Sequence, residues 1–142
     1  GNGRMTDDEY RTHMTLWSLL AAPLLAGNDL ARMSKSTLDI LTNKEIIAID
    51  QDAAAHPVKR NVIEEGKTEI WTRELEDGST AVALFNRGEQ QASITVEWSK
   101  LGASAPASGR DLWAHKDVAF SGQSYTATVP KHGVSAFRLP KS

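Results

Sequence analysis

The sequence predicts two kinds of structure in succession: α/β material over residues 1–55, then an antiparallel β-sandwich over residues 56–142. Three observations carry that prediction. Apolar residues recur at three- and four-residue intervals from Tyr10 to Ala21, which is the period of a helix with one packed face. A short uninterrupted apolar run, Leu24-Leu25-Ala26, follows Pro23, as in a strand covered on both faces. From Val58 onward the period drops to two, with turn residues about every ten positions, the pattern of a sandwich of short strands.

Taken in order, Thr6-Asp7-Asp8-Glu9 reads as a capping box. The Thr6 hydroxyl can accept from the Glu9 backbone while the Glu9 carboxylate reaches back, and Asp7 and Asp8 suit the positive end of the helix dipole. The stripe Tyr10, His13, Met14, Trp17, Leu20 and Ala21, widened by Leu16 and Leu19, predicts a helix buried on most of its girth. Pro23 ends it, and Gly27-Asn28-Asp29 closes the buried strand. Two short helices follow, one from about Ser34 to Leu41 and one capped by Asn43 with Ile46, Ile47 and Ile49 turned inward. One strand is not a sheet, so the remainder of that sheet is expected outside this sequence.

In the second half, Thr68–Leu75 and Thr80–Phe85 flank Glu76-Asp77-Gly78-Ser79, and Asp-Gly is a strong hairpin signal. Further strands are expected at Ser93–Trp98, Arg110–Trp113, Val118–Phe120, Tyr125–Val129 and Val134–Leu139, about eight in all. Ile70, Val82, Leu84, Ile94, Val96, Val129 and Phe137 are the expected inward residues, each alternating with polar neighbours.

Composition is that of an ordinary globular protein: 40% apolar, 24% charged, net charge -2. Nucleic-acid binding requires a concentrated basic footprint, and both signs are scattered here. No membrane span is expected, because the longest apolar run, Leu19–Ala26, is too short and carries Pro23. No signal peptide is read at Gly1-Asn2-Gly3-Arg4, and the opening residues read as the middle of a loop. With no cysteine, neither disulfides nor thiolate metal sites arise. Asp50-Gln51-Asp52 lacks a third ligand at organised spacing and reads as a solvated helix end. His13, His56, His115 and His132 show no ligand spacing, and His13, on the apolar stripe, reads as a hydrogen-bonded core histidine. Trp71, Trp98 and Trp113 fall in the β half, where a tryptophan either fills the core or stacks on a sugar ring.

Read together, Met5–His13 and Leu16–Leu30 are very similar to the end of the catalytic barrel in family 27 glycoside hydrolases of the α-galactosidase type. Ile40–Asp52 resembles the last barrel helix and its exit to a C-terminal β domain, and Trp71 with Ala81–Arg87 resembles that domain's opening hairpin. The resemblance implies the last helix–strand–helix portion of a TIM (β/α)8 barrel followed by an antiparallel sandwich. Residues 6–22 would be the seventh barrel helix, 23–27 the eighth strand and 34–51 the eighth helical layer. It implies a retaining hydrolase of terminal α-galactosides that needs no metal or nucleotide. Two aspartates serve such an enzyme as nucleophile and acid/base, and retention requires their carboxyl groups about 5 Å apart. Both are expected upstream of Gly1, one of them in a lysine-aspartate context, so this segment would hold no catalytic residue. Related members act on α-N-acetylgalactosaminides and β-L-arabinopyranosides. A secreted or periplasmic parent is implied.

On that mapping Asn28 and Asp29 follow a barrel strand at its C-terminal end, the face where barrel active sites are built. They either orient a catalytic carboxylate or serve the loop, Asp29 as a cap and Asn28 in a left-handed conformation. The alternative for the whole chain is a non-catalytic carbohydrate-binding or structural β module. The helical motif argues against an unrelated interaction domain.

Overall fold

Thr6 begins the first helix as its sequence requires. Its backbone N–H donates to Glu9 Oε1 at 2.9 Å and its Oγ1 accepts from the Glu9 N–H at 3.1 Å, so two helix-start donors are satisfied reciprocally. In this computed structural model the described residues are 6–19, 39–40, 43–50, 57–101, 106–120 and 122–140, with the backbone alone at Trp17 and Asp50. The helices are α1 (Asp7–Leu19) and α2 (Lys44–Asp50). Asn43 caps α2: its Oδ1 accepts from the backbone of Glu45 at 3.0 Å and of Ile46 at 3.2 Å. Ile46 and Ile49 are buried and Ile47 half-buried, the inward set read from the sequence. Asp39 and Ile40 are helical, while the rest of the Ser34–Leu41 helix, the strand at 23–27, and Leu20 and Ala21 lie outside the described residues.

Eight strands follow among the described residues: β1 (Lys59–Glu64), β2 (Thr68–Glu74), β3 (Thr80–Asn86), β4 (Ala92–Glu97), β5 (Ser108–Asp111), β6 (Lys116–Ala119), β7 (Ser124–Val129) and β8 (Val134–Leu139). They form a six-stranded sheet, order β1-β2-β3-β8-β5-β6, and a two-stranded sheet of β4 and β7. Every pairing is antiparallel. The Asp77-Gly78 turn joins β2 to β3, with Gly78 at φ 87° and its N–H donating to Leu75 O at 3.0 Å. Only glycine reaches that backbone region without steric cost.

The middle of the six-stranded sheet, β2, β3 and β8, is covered on both faces, while the edge strand β1 is exposed. Toward β4 and β7, all seven expected inward residues are buried, from Leu84 and Val129 at 0% to Ile70 at 4%. Burying each such side chain stabilises by about 1.5–3 kcal/mol. Trp98, Phe120, Tyr125 and Phe137 complete this layer as edge and tilted ring contacts 4.8–6.3 Å apart. The opposite face carries a second core, in which Ala81, Ala83, Phe85 and Ala136 meet Met14, Leu19, Ile40, Ile46 and Ile49 from the helices.

Four readings need correction. Val82 and Leu84 do not alternate with polar residues: Ala81, Ala83 and Phe85 are buried too, because α1 and α2 cover the sheet's other face. The Arg110–Trp113 strand ends at Asp111, whose Oδ1 accepts from the Trp113 and Ala114 N–H groups and bends the chain into a turn. The Val118–Phe120 strand runs from Lys116 to Ala119 instead. His13 is exposed, not a core residue. Of the expected α1 stripe, Met14 and Leu19 are buried and Tyr10 and Leu16 pack on the same core, with Thr15 and Ser18 buried beside them.

Candidate functional site

The chemistry available in this chain is concentrated where the helices meet the six-stranded sheet. Arg73, in β2, is 1% exposed, and its Nη1 donates to Ser18 O at 3.3 Å and Ile49 O at 2.7 Å. These carbonyls lie in the last turns of α1 and α2, and neither helix has a basic residue in its own last turn. The last carbonyls of a helix lack intrahelical partners and carry the negative end of its dipole. One sheet arginine therefore terminates both helices.

The helix starts are held by two turns of the sheet. On α2, Asn43 Nδ2 donates to Leu112 O at 3.0 Å. Glu45 receives Arg110 Nη2 at 2.9 Å and Nε at 3.2 Å, and lies 3.0 Å from His115 Nδ1. The Arg110 hydrogen bonds, seconded by His115, hold the Glu45 carboxyl below its ordinary range. On α1, Thr12 Oγ1 donates to His132 O at 2.8 Å, and His132 lies 3.5 Å from Glu9 and 2.9 Å from Glu89. His115 and His132 each adopt φ 55°, a conformation that tight turns impose on few non-glycine residues.

Between α2, the end of the preceding helix and the 112–115 turn lies a cleft of about 610 Å³. Its walls include the half-buried indole of Trp113 and the side chains of Arg11, Asp39, Lys44, Glu45 and His115. Trp113 is fixed at both ends, its backbone N–H on Asp111 Oδ1 and its Nε1–H on Thr15 Oγ1, each at 3.0 Å. The other β-half tryptophans are closed. Trp98 is fully buried in the sandwich core. Trp71 has the Arg60 guanidinium 5.8 Å over its ring, Phe85 at its edge and its Nε1–H on Glu69.

Among the described acids, Glu69 is strongly perturbed. Its side chain is 2% exposed and receives Arg60, Arg87 and the Trp71 N–H. The Arg60 hydrogen bonds, aided by those of Trp71 and Arg87, lower its pKa to about 2. A carboxylate saturated by two guanidinium groups and an indole is held ionised and hydrogen-bonded, which suits structural anchoring rather than proton transfer.

The expected site residues Asn28 and Asp29 lie outside the described residues, as do His56, Gln51, Asp52 and the Asp50 side chain. Among the described residues, no group of three or more histidine or acidic side chains could hold a metal ion. Sequence reasoning missed Arg73, Glu69 and Arg110. In Glu69-Ile70-Trp71-Thr72-Arg73 both charges share a face with Trp71, and Ile70 shares the other with Thr72, so alternation by itself does not mark the charged face as buried. The signal that could have found them is the neighbouring run Ala81-Val82-Ala83-Leu84-Phe85: a strand apolar on both faces sits in a sheet covered on both faces. Charges on the adjacent strand must then find internal partners.

Comparison with known proteins gives a consistent picture. A family profile described as "Alpha galactosidase A" matches residues 1–52, and one described as "Alpha galactosidase C-terminal beta sandwich domain" matches residues 65–139. An α-galactosidase of Oryza sativa subsp. japonica is 42% identical over 141 residues, covering 98% of this chain and 33% of the relative. The crystal structure of α-galactosidase I from Mortierella vinacea superposes with a TM-score of 0.89 at 32% identity, covering 100% of this chain and 38% of that one. A family 27 β-L-arabinopyranosidase variant from Geobacillus stearothermophilus, in complex with arabinose, superposes with a TM-score of 0.88 at 30% identity over 98% of this chain and 32% of that one. The chain spans about a third of the length of the curated relatives it matches.

Proposed function

The chain belongs to the α-galactosidase family, family 27 of the glycoside hydrolases, and from that premise we propose that it is the C-terminal segment of a retaining α-galactosidase acting on terminal α-D-galactosides. The observation that carries this reading is the continuity of the match. Helical segment and sandwich together align with α-galactosidases over 98% of the chain, and the two parts share one buried interface.

In this reading residues 1–55 close a (β/α)8 barrel and residues 56–142 form the domain behind it. α1 is the barrel's seventh helix, 23–27 its eighth strand and 34–51 its last helical layer. The catalytic aspartates stand on earlier barrel strands, upstream of Gly1, one attacking the anomeric carbon while the other protonates the leaving oxygen across about 5 Å. No metal or nucleotide enters. The residues of this segment hold geometry: Arg73 fixes the far ends of the two helices, while Glu45–Arg110 and Thr12–His132 fix their near ends. A displacement of about 1 Å at a catalytic group can cost a hundredfold in rate, which gives a rigid outer clamp its value. In this reading Asn28 and Asp29 follow the eighth strand, where they either serve the loop or orient a catalytic carboxylate.

The alternative, a free-standing carbohydrate-binding module, requires sugar-stacking tryptophans on the sandwich. Such a module leaves unexplained why the helical segment aligns with α-galactosidases together with the sandwich, which favours the enzyme reading. Two experiments test it. Extending the reading frame upstream should reveal an aspartate in a lysine-aspartate context at the end of a barrel strand; its absence removes the assignment. The purified full-length protein should release nitrophenol from nitrophenyl α-galactoside, and faster release from the α-N-acetylgalactosaminide or β-L-arabinopyranoside would move the assignment to that sugar.

A further inference from the structure

We propose that the cleft beside Trp113 is a carbohydrate subsite on the clamp between helices and sheet, taking a neutral pyranose unit of a longer saccharide. Three observations support this, and only the identity of the saccharide rests on the α-galactosidase reading. First, the cleft, about 610 Å³, lies in the range of small-molecule sites. Second, Trp113 lines this cleft, and its indole is a pre-set platform. Its backbone is pinned by Asp111 and its indole N–H by Thr15, so the ring orders before any ligand arrives and a ligand incurs little ordering cost. The apolar face of a pyranose stacks on such an indole. Third, charged groups around the cleft are already matched: Glu45 holds Arg110 and His115, and Arg11 pairs with Asp8. A charged ligand would have to break into those pairs, whereas a neutral polyhydroxylated one can bind beside them.

The test uses the full-length protein in affinity gel electrophoresis through a soluble polysaccharide bearing α-galactosyl branches, with saturating free galactose to occupy the catalytic site. Wild type should be retarded and Trp113→Ala should not. Trp113→Phe, which keeps a stacking ring, should retain most of the retardation. In kinetics, Trp113→Ala should raise KM for the polysaccharide by about five- to tenfold, the factor expected for one lost stacking contact, and leave nitrophenyl α-galactoside kinetics unchanged. Where Trp113→Ala lowers the melting temperature, Lys44→Trp supplies the second arm: position 44 is exposed on the rim, and a bulky ring there should fill the cleft and abolish retardation alone. Unretarded wild type, or unchanged retardation in Lys44→Trp, overturns the subsite. A retarded wild type that hydrolyses no α-galactoside would leave the subsite standing and remove the enzymatic reading instead.

Discussion

Arg73→Met should detach the helices from the sheet before the sandwich itself melts. Arg73 is 1% exposed and donates to two last-turn carbonyls, at 2.7 and 3.3 Å. A hydrogen bond from a charged donor contributes about 1.5–3 kcal/mol, and the longer contact belongs at the low end. Against this, methionine needs no desolvation of a buried charge, which returns part of the loss. A net destabilisation of about 3 kcal/mol follows for the helix–sheet interface. With a urea slope of about 1–3 kcal/mol/M for a protein of this size, the midpoint should fall by about 1–3 M. Urea denaturation of the 142-residue chain, followed by far-ultraviolet circular dichroism, reads the helices. Fluorescence measured in a background that keeps Trp98 and replaces the other three tryptophans by phenylalanine reads the sandwich and should move less, since Arg73 lies outside that core. Arg73→Lys should recover about half the loss. An unmoved helix transition in Arg73→Met would refute the idea that one sheet arginine terminates both helices.

Other outcomes follow from the same geometry. Glu69 has its pKa depressed to about 2 from 4.5, so its contribution is fully present above about pH 4.5 and is lost as pH falls through 2. Glu69→Gln should therefore cost about 2 kcal/mol at pH 7, after allowing for solvent screening of the exposed arginines. In chemical denaturation the gap from wild type should shrink between pH 4.5 and 2, and a constant gap would contradict the depressed value. Gly109→Ala should destabilise by about 2 kcal/mol or more. An added Cβ would lie 2.8 Å from Phe120 Cε2 and 3.2 Å from the backbone oxygen of Arg138, and a thermal melt equal to wild type would show that the aromatic layer yields. The 142-residue segment alone should release no nitrophenol from nitrophenyl α-galactoside, with the full-length protein as control. Turnover near the control's rate would place the nucleophile within these residues and direct attention to Asp29.

The capping box at Thr6 and Glu9, the Asn43 cap, the Asp77-Gly78 hairpin and the inward faces of β2, β4, β7 and β8 were legible in the sequence. Each is a local event: a cap, a turn or a two-residue period is written within a few positions of itself. The family was legible for a related reason, since the motifs from Met5 to Asp52 are contiguous. Asn28 and Asp29 could be named from those motifs, but assigning a role to them needs the distance from their side chains to a reacting carbon. That distance is set by strands far away in sequence.

Tertiary structure alone decided what covers the six-stranded sheet. The run Ala81–Phe85 signals a sheet covered on both faces, but nothing in the sequence says which groups partner Glu69 and Arg73. Their partners lie up to 55 residues away for Arg73 and 18 for Glu69. The same holds for the orientation of α1. Its expected stripe holds at Met14 and Leu19, which are buried, and at Tyr10 and Leu16, which pack on the same core, but His13 is exposed and Thr15 and Ser18 are buried beside Met14 and Leu19. A helix with apolar residues on much of its girth does not fix its own rotation. The rotation follows from the sheet, where Ala81, Ala83 and Ala136 leave room for close approach and Arg73 holds the helix end in place. Local chemistry determined which elements form; long-range packing and the need to partner buried charge determined how they face one another.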